Sequence, residues 1–210
     1  MKAVFLSHPL SKETPLYMGE GKVSIIRDKI LGKNSCNNLR ISMPNHASTH
    51  VDVPYHFLEN GLTLTDFPPE KWAFKKVDVI YVKTYETVIT PEMIEIRGDA
   101  ELLLLRTGLE KKRGTPDYLK NYPGVHQDVA DFLTKRMPSI RALGTDLISI
   151  SSPLHMDLGR KAHREFLRRN IILIEDMKLS QLNFKPSLVA VLPLMIKNGD
   201  GAPCSVLALE

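Results

Sequence analysis

The chain has 210 residues, 43% apolar and 25% charged, an ordinary soluble globular balance, and at this length folding buries about 70% of the unfolded surface without help from disulfides or a structural metal. Lysine plus arginine exceed aspartate plus glutamate by 28 to 24, a net charge of +4, but the excess sits in scattered clusters such as Lys75-Lys76, Lys111-Lys112-Arg113 and Arg168-Arg169. That is not the continuous basic face with interleaved aromatics of a nucleic-acid reader, and it better suits mild attraction of an anionic small molecule.

Cys36 and Cys204 are too few for a disulfide framework and lack C-x-x-C spacing. The first apolar stretch is too short for a signal peptide and no window reaches the length of a membrane span, so a cytoplasmic chain is expected. With no repeat and no Gly/Ser linker, one domain is expected over residues 1–210.

Taken in order, short apolar runs predict strands at residues 3–6 and 39–43. A histidine-bearing stretch at 44–57 follows, then a strand at 77–83. Thr90 as N-cap with Pro91 in the first helical position predicts a helix over 91–96. A strand follows at 101–106. A helix is predicted over 125–136, with Val129, Phe132 and Leu133 at helical spacing, and another over 159–169, with Ala162, Phe166 and Leu167 and a basic last turn. Strands at 171–174, 188–192 and 205–209 complete the chain. Strands interleaved with few helices predict an α/β domain with a mixed sheet, and the long proline-rich connections leave the strand order open.

The segment His46-Ala-Ser-Thr-His50-Val-Asp52-Val-Pro-Tyr-His56 carries the chemistry. A helix would bring His46 and His50 onto one face, but Val51, Val53, Pro54 and the upstream Pro44 oppose it. In an extended chain His50, Asp52, Pro54 and His56 share one face, while Thr49, Val51, Val53, Tyr55 and Phe57 share the other. Along an ideal strand His46 and His50 would lie about 13 Å apart, so binding one ion requires a bend between Ala47 and Thr49. Three of the chain's seven histidines and an aspartate fall within this short segment, a concentration that packing does not explain and a metal site does.

Two further residues could complete such a site. Glu175 ends a predicted strand, where α/β proteins tend to place their chemistry, although alone it reads as a solvated carboxylate. His163 lies on the amphipathic stretch before it and alone reads as a surface histidine. Trp72 and Phe74 are expected to pack beside the next strand. His8 and His155 lie beside proline-rich turns and have no partner pattern, and His126 sits at a predicted helix start. Gly199-Asp-Gly201 reads as a hairpin turn rather than a phosphate cradle, since no helix follows, and Lys111-Lys-Arg113-Gly114 as a solvated loop.

At these residues the sequence resembles the cyclase-like metal-dependent hydrolases, the family that includes bacterial kynurenine formamidase (arylformamidase) and isatin hydrolase. The family motif, approximately H-x-G-T-H-x-D-x-P-x-H-F, is similar to residues 46–57. Leu104-Leu-Arg-Thr107, Leu143-Gly-Thr-Asp146, Ala162-His163, Glu175 with Leu179, Leu192-Pro-Leu194 and Gly199-Asp-Gly-Ala-Pro203 resemble later family elements in the same order. The resemblance implies a swivelling β/β/α fold, assembled as a dimer or tetramer. It implies two divalent ions, zinc or manganese. His46, His50 and Asp52 would bind one ion, with Asp52 bridging to a second held by His163 and Glu175, and Glu175 touching both. His56 would be the proton donor and acceptor. The implied activity is C–N hydrolysis of an amide, as in N-formylkynurenine to kynurenine and formate.

Two positions depart from the family pattern. Ser48 replaces the motif glycine. In kynurenine formamidases a tryptophan before a Pro-Gly pair contacts the aromatic substrate, and here Leu16-Tyr17-Met18-Gly19 stands in that region, with Tyr17 as the candidate substrate contact. The site types suit hydrolysis, because a divalent ion lowers the pKa of bound water from about 15.7 to about 7 and a histidine can shuttle the proton. Isatin-hydrolase-like opening of a cyclic amide, a non-catalytic metal-binding protein and a basic interaction protein are the competing expectations.

Overall fold

The structure is a computed structural model that describes residues 2–83 and 87–210. In chain order the elements are β1 (Ala3–Phe5), β2 (Ser24–Lys29), α1 (Leu31–Asn34), β3 (Asn38–Ser42), β4 (His50–Asp52), β5 (Ala73–Phe74), β6 (Val77–Tyr81) and β7 (Val88–Ile89). They continue with β8 (Leu102–Arg106), α2 (Pro116–Lys120), β9 (Gly124–Val125), α3 (Asp128–Arg136), β10 (Ala142–Thr145), α4 (Met156–Leu167), β11 (Ile172–Glu175), β12 (Leu188–Pro193) and β13 (Gly201–Leu209).

Nine of the described strands form one mixed sheet in the order β5-β12-β13-β4-β11-β10-β8-β6, with β1 also pairing β13. The β6, β8, β10 and β11 run is parallel; β8, β10 and β11 are buried on both faces, while β6 at the sheet edge is only partly buried. The β11–β4, β4–β13 and β13–β12 pairings are antiparallel. The α/β class, the mixed sheet and the small number of helices agree with the expectation.

Alternation along the strands creates two cores. Leu103, Leu105, Leu143 and Leu173 face one core, shared with α3 and α4, while Leu102, Leu104, Ile172 and Ile174 face the other, shared with β12 and β13. Trp72 and Phe74 pack in the second core, as expected. At the carboxyl ends of β8 and β10 the two short family-like elements meet. Thr107 donates to Asp146 through its backbone N–H (2.8 Å) and its hydroxyl (2.7 Å), and Gly108 N–H adds a third bond at 2.7 Å.

Several expectations are corrected. Residues 91–96 are not a helix but a single 3-10 turn at Pro91–Met93, because Ile94 returns to extended backbone at φ −112°. Val125 belongs to β9, so the third helix begins only at Asp128. The triplet at 111–113 is not all solvated, since Arg113 Nη2 pairs with buried Asp176 at 2.7 Å and its Nε donates to the same carboxylate. β2, β5, β7, β9 and β10 were not anticipated as strands. No helix among the described residues is long and apolar enough to cross a membrane.

Candidate metal centre

Strand register assembles the first half of the site. β4 lies between β11 and β13, with His50 opposite Glu175 and Asp52 opposite Leu173. Because side chains alternate, His50, Asp52 and Glu175 emerge on the face covered by α4, while Val51 and Ile174 enter the opposite core. α4 buries Gly159, Ala162, His163, Phe166 and Leu167, a stripe at i, i+3, i+4, i+7 and i+8 that seats His163 over the carboxylates.

The predicted bend is present. Ser48 adopts φ +59°, the left-handed conformation in which a motif glycine would be unstrained. It turns the chain so that the His46 and His50 rings lie 5.2 Å apart between centroids. The period-two reading fails beyond Val53. Pro54–His56 is a 3-10 turn with proline in its first position, and His56 N–H donates to the Val53 carbonyl at 2.9 Å. Phe57 is thereby moved off the apolar face and stacks on His163 at 4.5 Å, while Tyr55 points to solvent.

Each imidazole of the cluster is held by its outer nitrogen. His50 Nδ1–H donates to the Ser48 carbonyl (2.8 Å) and His163 Nδ1–H to the Gly159 carbonyl (2.9 Å). Their Nε2 atoms face the carboxylates: His50 lies 3.4 Å from both Asp52 and Glu175, and His163 lies 3.6 Å from Asp52 and 3.5 Å from Glu175. His46 turns Nδ1 to Asp52 at 2.8 Å and Nε2 to Asp200 at 2.9 Å. Glu175 is itself aligned by the Ile150 N–H at 2.7 Å and the Ser149 hydroxyl at 3.2 Å.

This is the chemistry of a divalent-cation site. Metal-binding histidines characteristically give their second nitrogen to a carbonyl or carboxylate, which orients the ring and fixes its tautomer. Buried Asp52 and Glu175 also need a cation nearby. Burial opposes charge on His46 and His163, yet the carboxylates outweigh it and push both pKa values up to about 10. Burial raises Asp52, but His46 and His163 overcome it and hold the carboxyl well below its usual range. Among the described residues, ligand-capable atoms form two compact groups that share Asp52, one with His46 and His56 and one with His50 and Glu175. Nitrogen and carboxylate donors of this kind suit a divalent metal ion.

All six site residues predicted in the centre line one cavity of about 500 Å³, and Tyr17 lines it as well. Tyr17 is half-buried, with burial raising its pKa. Phe57, Met156 and Arg160 add further walls. The sequence reading missed Asp200, whose Oδ2 accepts from His56 Nδ1 at 2.8 Å as well as from His46. The only signal was its place in the family-like closing segment. Residues 199–201 lie in the β12–β13 connection but do not make its turn, which falls at Lys197–Asn198 and is closed by Gly199 N–H donating to the Ile196 carbonyl at 3.0 Å; Gly201 instead opens β13 beside β4, where a Cβ would overlap the Val51 carbonyl oxygen and His46 Cε1.

Comparison with known proteins decides the family. The putative cyclase family matches residues 4–152. The chain belongs to that family. Kynurenine formamidase of Bacillus cereus (strain ATCC 10987 / NRS 248) is 27% identical over 204 residues, covering 94% of this chain and 92% of the relative. Kynurenine formamidase of Bacillus anthracis is 27% identical over 207 residues, with coverage of 96% and 94%. Among solved structures, an isatin hydrolase bound to the product analogue thioisatinate superposes with a TM-score of 0.84 at 21% identity, covering 100% of this chain and 92% of that one. Isatin hydrolase A from Labrenzia aggregata reaches a TM-score of 0.82 at 26% identity, covering 99% and 93%. The likeness to these relatives therefore extends over essentially the whole chain.

Proposed function

We propose that this cyclase-family chain is a metal-dependent hydrolase that cleaves the C–N bond of an arylformamide, in the manner of N-formylkynurenine giving kynurenine and formate. The observation that carries the reading is the set of His46, His50 and His163 nitrogens facing Asp52 and Glu175 inside a cavity also lined by His56 and Tyr17. The Bacillus kynurenine formamidases, similar along nearly the whole chain, support the choice of substrate. His46, His50 and Asp52 would hold one divalent ion, zinc or manganese, and His163 and Glu175, beside Asp52, would hold a second.

A bound divalent ion supplies Lewis acidity, which acidifies water and polarises a carbonyl oxygen. The protein's own residues do the rest. His56 gives Nδ1–H to Asp200, and its Nε2 makes no hydrogen bond among the described residues, leaving that nitrogen to take a proton from the attacking water and pass it to the departing amine. Tyr17 stacks on the aryl ring. Arg160, on the cavity wall, offers a cation to an anionic substrate. The dimer or tetramer that the resemblance implies belongs to this reading, with Leu39 and Ile41 exposed on one face of the β2–β3 hairpin as apolar surface for a second copy.

The experiment is a side-by-side spectrophotometric assay of the metal-loaded protein on N-formylkynurenine and isatin, with His56→Ala as the control. The expected outcome is turnover of the formamide, lowered about 10²–10⁴-fold in His56→Ala at unchanged metal content. Preferential ring opening of isatin would instead support the second reading, which the isatin hydrolase from Labrenzia aggregata favours. Loss of metal from His56→Ala would make His56 a ligand.

A further inference from the structure

Asp200 is placed to control two imidazoles at once. It precedes β13 in the chain and lies beside β4 in space, with its carbonyl accepting from Val53 N–H at 3.1 Å and Gly201 opposite Asp52 in the sheet. One carboxylate oxygen, Oδ1, accepts from Asn45 Nδ2 at 2.6 Å, and the same amide group reaches the Gly201 carbonyl at 3.1 Å. The other, Oδ2, accepts from His46 Nε2 at 2.9 Å and from His56 Nδ1 at 2.8 Å. The two rings stack with centroids 4.1 Å apart and planes 28° from parallel, so their nitrogens converge on that single oxygen.

Resting on the hydrolase reading above, we propose that Asp200 is a positioning residue that locks the rings of His46 and His56 together. The torsion that turns an imidazole about its Cβ–Cγ bond is broad and roughly two-fold, so a histidine needs an outside partner to fix which nitrogen faces the site. Asp200 supplies that partner to both rings. It leaves His46 Nδ1 turned to Asp52 and His56 Nε2 free for proton transfer. Asn45 holds the carboxylate from its far side, so the orienting group is itself oriented. The Asp200 side chain is 34% exposed and outside both apolar cores, so its removal is expected to disturb the rings more than the fold.

The test compares the full-length wild-type chain with Asp200→Ala, His56→Ala and the double variant, each loaded with zinc. Two readouts are taken: zinc affinity by chelator competition, and kcat and KM on N-formylkynurenine. Asp200→Ala is expected to weaken zinc binding about 10–100-fold, as loss of a partner that orients a metal-binding histidine does. At saturating zinc it is expected to lower kcat at least tenfold while KM changes less than threefold. The double variant is expected to be no slower than His56→Ala, because Asp200 acts on turnover through that ring. Unchanged zinc affinity, a loss confined to KM, or losses that multiply in the double variant would each overturn the proposal. If wild type does not turn over the formamide, the arylformamidase reading fails, and zinc affinity alone still decides whether Asp200 holds His46.

Discussion

At position 48 the chain accepts a left-handed conformation that an L-residue disfavours by about 1–2 kcal/mol, in order to bring His46 round to His50. A glycine there removes that cost but adds about 0.5–1 kcal/mol of unfolded-state entropy. Ser48→Gly is therefore expected to stabilise the protein by about 0.5–1 kcal/mol, read as a shift of the urea midpoint at constant slope. Ser48→Val, β-branched in the same conformation, should lower the midpoint and the metal content together. A lower midpoint for Ser48→Gly would show that the serine side chain, which reaches the His8 carbonyl at 3.3 Å, matters more than the strain. At this scale the sequence was most informative. His46, His50, Asp52 and His56 could be nominated because they are crowded into one segment. Asp200 could not, because its partners are 154 and 144 positions away and its flanking glycines describe only a turn.

At the scale of the element, legibility followed the length and chemistry of each run. The four leucines of β8 announce a strand buried on both sides, whereas Ala142–Thr145 contains a glycine and no β-branched pair, so β10 had no local signature. The helix expected from Thr90 and Pro91 stops after one turn: the Thr90 side chain makes no capping hydrogen bond, and a single turn is too short to propagate. α4 is the element on which the second half of the site depends. Its Gly159 approaches Ser151 so closely that a Cβ would overlap the serine Cα and Oγ, and the Gly159 carbonyl also orients His163. Gly159→Ala is accordingly expected to cost about 1–3 kcal/mol by overpacking and to reduce bound metal through displacement of His163. Wild-type metal content with full stability in that variant would mean that α4 does not set the position of His163.

Across the whole molecule, the site exists only because the sheet order places β4 between β11 and β13, which brings segments from residues 46–56, 163, 175 and 200 to one point. That order depends on long-range pairing and could not be read from local pattern. The assembled charge has a pH signature. In the metal-free chain, carboxylates outweigh burial and hold His46 and His163 near pKa 10, above the ordinary histidine value of 6.5. Protonation of these rings therefore favours the folded state, fully below about pH 6.5 and progressively less as pH rises towards 10. Metal must displace those protons, so the gain in Tm on adding zinc is expected to grow from about pH 6 to about pH 8 in calorimetry. A gain independent of pH would mean that the imidazoles do not bind the ion.

The most direct measurement is elemental analysis of protein purified without chelator, repeated on His50→Ala. A value close to two zinc or manganese per chain, falling sharply in His50→Ala together with hydrolysis, is the predicted result. Wild-type protein that carries no divalent metal and takes none up on dialysis would contradict the account.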